Sequence, residues 1–99
     1  MKFAAMLEYI TDTAKIARVR PAHRKYLTDL HASGKLLLAG PFGDDSGGII
    51  AYEAATQEEA EALVKNDPFC TEGVMVKWTL KPWRLVFVGA LPPAVPPPA

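Results

Sequence analysis

Short segments with two-residue alternation surround two stretches with helical spacing, and that order admits few folds. Phe3, Ala5, Leu7 and Tyr9 fall on one side of residues 2–9, the spacing of a strand with one covered face. Lys35 to Gly40 and Gly48 to Ala54 read as two more strands, joined by PFGDDSG, whose Gly and Asp content suits a hairpin loop. Val74, Val76, Trp78 and Leu80 alternate with Met75, Lys77 and Thr79 in a fourth. Leu85 to Val88 offers a short fifth strand or arm.

Proline and capping residues bound the helices. Pro21 has no N–H to lose at a first helical position, so the first helix is expected from Pro21 to about Ser33, with Gly34 as its left-handed cap. Thr11 to Val19 is polar and mixed and reads as a loop leading to it. Tyr26, Leu27 and Leu30 form the apolar stripe of that helix, and His23 lies one turn earlier on the same side. Thr56 and Glu59 make a capping box ahead of Ala60, Leu63 and Val64. Asp67-Pro68 ends that second helix, because a residue before proline is pushed out of helical geometry.

The order β-α-β-β-α-β places two helices on one face of an antiparallel sheet, an α+β, ferredoxin-like arrangement with a C-terminal extension. The other face carries Ala4, Met6 and Met75, too apolar to leave in water, so a homodimer pairing sheet to sheet is expected. Ninety-nine residues, 49% apolar and 22% charged, suit one globular domain. The folded unit is expected over residues 1–88. Residues 89–99 read as a proline-rich flexible tail, five of the nine prolines falling after Leu91.

Charge and cysteine content remove several function classes. Eleven basic residues balance eleven acidic ones, which leaves no net positive field for nucleic acid. No apolar run approaches the roughly 20 residues that span a bilayer. The lone Cys70 excludes an intrachain disulfide and a thiolate metal cluster. A reducing compartment suits it, the N-terminal decapeptide lacks a cleavable signal pattern, and the cytoplasm is the expected location.

Two side chains carry the candidate chemistry. His23, in the opening turn of its expected helix, faces a dipole that disfavours imidazolium, so a neutral ring there can accept a proton near pH 7. A core histidine bonded to backbone is the plainer reading. Asp67, at the end of the second helix, is badly placed for that helix's dipole and needs a compensating donor. The topology lays the two helices side by side, so Asp67 can approach His23 and fix its tautomer. A turn-forming Asx-Pro explains Asp67 equally well.

Weaker candidates surround that pair. Arg20 offers a guanidinium at the helix mouth, and Gly40-Pro41 lets a ligand or backbone approach closely. Phe69, Trp78 and Trp83 are candidates for the wall of an apolar pocket. Cys70 has no partner thiol and reads as a small apolar residue. His23 and His31 lack a helical metal-ligand spacing, so no metal is expected.

Taken together, Arg20-Pro21-Ala22-His23, Gly34-Lys35-Leu36-Leu37, Ala39-Gly40-Pro41, Asp67-Pro68-Phe69, Gly73-Val74 and Lys81-Pro82-Trp83 resemble the YciI-like (YCII-related) proteins over about residues 2–84. The resemblance implies a dimeric α+β barrel and an active-site pocket built on a His–Asp pair, here His23 and Asp67. Some members are linked to lyase or dehydrochlorinase steps on hydroxylated rings, with no cofactor demanded.

The expected function is therefore a small cofactor-independent lyase or isomerase acting on a cyclic or phenolic compound. His23 and Asp67 would be catalytic, and Arg20, Gly40, Pro41 and Phe69 would hold the substrate. The alternative is a dimeric small-molecule-binding or stress-related module without catalysis.

Overall fold

The computed structural model describes residues 1–91, 93 and 94. In order along the chain stand β1 (Lys2–Tyr9), α1 (Thr13–Ala32), β2 (Leu36–Pro41), β3 (Gly47–Glu53), α2 (Gln57–Lys65), α3 (Pro68–Thr71) and β4 (Met75–Pro82). The strands form one antiparallel sheet in the order β2-β3-β1-β4. Each outer strand follows a helix that crosses over a central one, which is the ferredoxin-like topology.

Register explains which side is covered. Phe3 pairs with Tyr52 and Pro82, Ala5 with Ile50 and Leu80, and Leu7 with Gly48 and Trp78. Phe3, Ala5, Leu7, Ile50, Tyr52, Trp78 and Leu80 share the core with Leu30, Ala60, Leu63 and Val64 from the helices, each large aliphatic contributing about 1.5–3 kcal/mol by burial. A second cluster joins Ile16, Val19, Phe69 and Val74. Gly47 lets β1 and β3 close together, since a Cβ there would stand 1.8 Å from the Leu7 carbonyl oxygen. The opposite face shows Met6 and Leu38 at 49% and 41% exposure.

The first helix begins eight residues before Pro21, not at it. Asp12 caps it by accepting the Lys15 N–H at 3.1 Å, and Ile16, Val19, His23 and Leu30 make one buried stripe. An interior proline costs about 3 kcal/mol through a lost hydrogen bond and a ring clash. Burial of three aliphatic side chains on that stripe outweighs the loss. Pro21 and Ala17, whose carbonyl loses the bond, are both exposed, so water can satisfy that oxygen.

Other boundaries also move. The strand pairing shifts between Glu8 and Tyr9, so Glu8 meets Lys77 while Tyr9 meets Met75. Val76 is the extra residue, 61% exposed, and Met75 turns inward against both core clusters rather than lying on the open face. Such a bulge reverses the alternation that the sequence displays. Leu85 to Val88 forms no strand; beyond the Trp83 N–H bond to the Lys2 carbonyl at 2.8 Å, the segment runs as an exposed arm, Phe87 being 95% exposed. The tail expectation falls largely on residues 92 and 95–99, outside the described residues. No helix among the described residues is long and apolar enough to cross a membrane.

Candidate active site

Helix α1 carries His23 inward in its third turn, and the chain leaving α2 brings Asp67 to meet it. Asp67 is not a helix C-terminal residue. Its N–H still bonds the Val64 carbonyl at 3.2 Å, but its own backbone is extended and it caps α3, accepting the Phe69 N–H on Oδ1 at 2.8 Å. Pro68 at the first helical position forces that break. The carboxylate is therefore aligned with a helix start, where negative charge is favoured.

The same Oδ1 accepts the His23 Nδ1–H at 2.7 Å. Asp67 is fully buried and the imidazole about 10% exposed. A buried carboxylate is tolerable only with donors of this kind. With Nδ1 carrying the proton, the neutral ring presents Nε2 as its basic nitrogen. Phe69 stacks flat on the imidazole, centroids 3.8 Å apart and planes 3° from parallel, and Tyr9 meets the Phe69 ring edge-on at 5.3 Å. Those contacts fix the ring that the carboxylate has oriented.

Because α1 starts early, the helix dipole at an opening turn does not act on His23. For the same reason the amides around Pro21 are engaged inside a helix and are not available to an anion. Arg20 lies one turn before His23, half-buried, close enough for its charge to lower the Tyr9 phenol against other influences. Burial first, and then the Asp67 carboxylate, push Tyr9 and Tyr26 up to about 12. Tyr52 is displaced in the same direction for the same reasons. All three tyrosines thus stand in the field of one carboxylate.

The remaining candidates separate. Gly40 pairs with Ile49 and Pro41 with Gly48 on the exposed edge strand β2. Both lie beside Gly48, above which the Tyr9 hydroxyl sits; Tyr9 joins this corner to Phe69. Trp78 packs on the main core and Trp83 begins the arm. Cys70 is half-buried behind Asp67, donating its N–H to the Asp67 carbonyl at 2.7 Å. Among the described residues no group of three His, Cys, Asp or Glu side chains is arranged to hold a metal ion.

A hollow of about 490 Å³ is walled by Tyr9, Ile10, Ile16, Phe42 and Asp45 among others. A smaller one, about 180 Å³, lies on the open sheet face between Met6 and Thr79. His23 and Asp67 line neither. Tyr9 connects dyad and hollow, and sequence reasoning placed it only on a strand face. The available signal was a hydroxylated aromatic at the last position of an otherwise aliphatic strand face.

Comparison with known proteins agrees with this architecture. The YCII-related domain matches residues 1–84. Protein YciI of Escherichia coli O6:H1 is 35% identical over 79 residues, covering 70% of this chain and 81% of that protein. The uncharacterized protein YjpA of Bacillus subtilis is 36% identical over 63 residues, covering 64% and 73% respectively. Among solved structures, the 5-chloro-2-hydroxyhydroquinone dehydrochlorinase of Burkholderia phenoliruptrix AC1100, in complex with 2,5-dihydroxybenzoquinone, aligns with a TM-score of 0.75 and 26% identity. That alignment covers 85% of this chain and 94% of the other. By the match along residues 1–84 and the shared fold, this chain belongs to the YCII-related family.

Proposed function

We propose that this chain is a cofactor-independent acid–base enzyme, a lyase of the dehydrochlorinase type acting on a hydroxylated ring. The observation that carries the reading is the buried Nδ1–H bond to Asp67 at 2.7 Å, which leaves Nε2 as the basic position of an oriented ring. His23 takes a proton from an acidic O–H or C–H of the substrate. A proton from a second ring hydroxyl is first transferred to the chlorine-bearing carbon, making it tetrahedral. The electron pair freed by His23 then moves through the ring, the carbon–chlorine bond breaks and chloride departs with its pair, so the balance is loss of HCl and formation of a quinone. Asp67 stabilises the imidazolium until the proton passes to water. Arg20 and Phe69 hold the ring, with Gly40 and Pro41 at its far edge.

General acid–base catalysis supplies about 10²–10⁴-fold, sufficient for a substrate whose proton is already acidic. The test is chloride release from 5-chloro-2-hydroxyhydroquinone. His23→Asn keeps an amide N–H where Nδ1 stands and removes Nε2, so it should stay folded and lose turnover about 10³-fold. Equal turnover by that variant overturns the reading. The separation of dyad from hollow favours one alternative, a binding module; ligand binding by native protein with no turnover of any chlorinated ring would support it.

We further propose that the working form is a homodimer in the cytoplasm, the setting that suits a lone thiol. Val86, Phe87, Val88 and Leu91 are 71–95% exposed, and the open sheet face adds Met6 and Leu38. A zero-charge chain does not repel its own copy. Sedimentation at micromolar concentration should give twice 10.8 kDa, and Phe87→Asp should return the single-chain mass. A native protein that sediments as one chain removes the dimer.

A further inference from the structure

Among the described residues, three side-chain oxygens are sealed from solvent without a hydrogen-bond partner: Glu53 Oε2, the Tyr52 hydroxyl and Asp67 Oδ2. Glu53 Oε2 has the Lys2 ammonium 3.6 Å away. The other two belong to residues with 0% exposure, and native folds rarely leave such atoms alone. Both lie against the end of α2. Tyr52 shares its core with Leu63 and Val64, and the Asp67 N–H bonds the Val64 carbonyl at 3.2 Å. Burial first, and then the Asp67 charge, hold the Tyr52 phenol above its ordinary range, so it keeps its proton at neutral pH. Tyr26, in the same field, spends its proton on the Leu63 carbonyl at 2.7 Å; Tyr52 has a proton to give and Asp67 an oxygen to receive one.

The two oxygens make no direct bond, which is the arrangement an internal water bridges. Such waters occur about once per 27 residues and bond buried polar atoms that lack other partners. Resting on the acid–base reading above, we propose that Tyr52 is a positioning residue for the His23–Asp67 pair, its phenolic O–H donating to one internal water that donates in turn to Asp67 Oδ2. Oδ1 already accepts two bonds, from the His23 Nδ1–H at 2.7 Å and the Phe69 N–H at 2.8 Å. A donor on Oδ2 fixes the carboxylate plane from the other side, so Oδ1 stays aimed at the imidazole. It also spreads the negative charge over both oxygens, which weakens the pull on the Nδ1 proton and keeps that proton on the ring. Tyr52 touches no substrate; it acts through Asp67.

One substitution separates a used hydroxyl from an idle one by its sign. Removing an idle buried hydroxyl leaves stability unchanged or raised. Tyr52→Phe is expected instead to lower the folding equilibrium constant about 5- to 100-fold in urea melts, because Oδ2 loses its donor. At pH 7 the His23 Nδ1–H proton resonance should move further downfield in that variant, as Oδ1 becomes the stronger acceptor. Tyr26→Phe, which deletes a hydroxyl bonded to backbone, should leave that resonance in place. In chloride release, Tyr52→Phe should lower kcat about 3- to 10-fold with KM unchanged. A crystal structure of the native protein should show one water bonded to both oxygens. Unchanged or raised stability, a native His23 resonance in Tyr52→Phe, an equal displacement in Tyr26→Phe, or two oxygens that share no water overturns the proposal. If the melts and the resonance behave as expected in a protein that never releases chloride, Tyr52 stands as the residue that positions Asp67 and only the enzymatic reading falls.

Discussion

His23→Gln and His23→Asn differ by one methylene, yet their stabilities should differ by several kcal/mol. An Asn amide nitrogen stands where Nδ1 does and can still donate to Asp67; a Gln amide reaches toward the Nε2 position and leaves Oδ1 with the Phe69 N–H alone. The pair is buried, with 0% exposure for the carboxylate and about 10% for the ring. The range for surface ion pairs therefore does not apply, and breaking a buried pair costs about 3–5 kcal/mol. Loss of the flat stacking on Phe69 adds about 0.5–1.5 kcal/mol and affects both variants. Against a total of about 5–15 kcal/mol for a domain of this size, His23→Gln is expected to lower Tm by roughly 15–30 °C. Urea melts followed by fluorescence of Trp78 and Trp83 at pH 7 measure the difference. The double variant His23→Gln/Asp67→Asn should recover at least half the loss, because no buried charge is left unpaired. If His23→Gln melts within about 1 kcal/mol of native, or the double variant is no better than the single, the Nδ1–Oδ1 bond does not hold the carboxylate, and the basis for an oriented base is gone.

Three further outcomes are expected. Gly47→Ala should destabilise by about 3 kcal/mol or fail to fold, because its Cβ would stand 1.8 Å from a backbone oxygen and β1 must part from β3; a native urea midpoint would refute this. Pro21→Ala should stabilise by about 1–3 kcal/mol by restoring an N–H and relieving the ring clash inside α1, and an unchanged midpoint would show that the helix already absorbs the proline. Stability should be intact below pH 10 and decline as pH rises through 10 to 12. Over that range unfolded phenols lose protons near their ordinary 10, while Tyr9 and Tyr26 hold theirs to about 12 in the folded state; a flat urea midpoint from pH 8 to 11 would contradict it.

Local signals in the chain were sufficient for the type and order of the four strands and two longer helices, though not for the four-residue α3. Period-two alternation marked β1, the Thr56–Glu59 box marked the start of α2, and Asp67-Pro68 marked its end, because each depends on neighbours a few residues away. The fold class followed, since few topologies accommodate that order. The motif run from Arg20 to Trp83 points to the family, and two helices laid side by side on one sheet face suffice to bring His23 toward Asp67. Tertiary structure decided the remainder. Pro21 stands inside α1 because a buried stripe, visible only once the sheet beneath it is in place, outweighs a local penalty. Met75 turns inward because strand pairing inserts a bulge at Val76, which alternation cannot reveal. Asp67 caps α3 rather than opposing a dipole, and Tyr9 reaches the site through a ring from another element. Contacts between residues far apart in the chain set these features, and local preference is too weak to foretell which of them prevails.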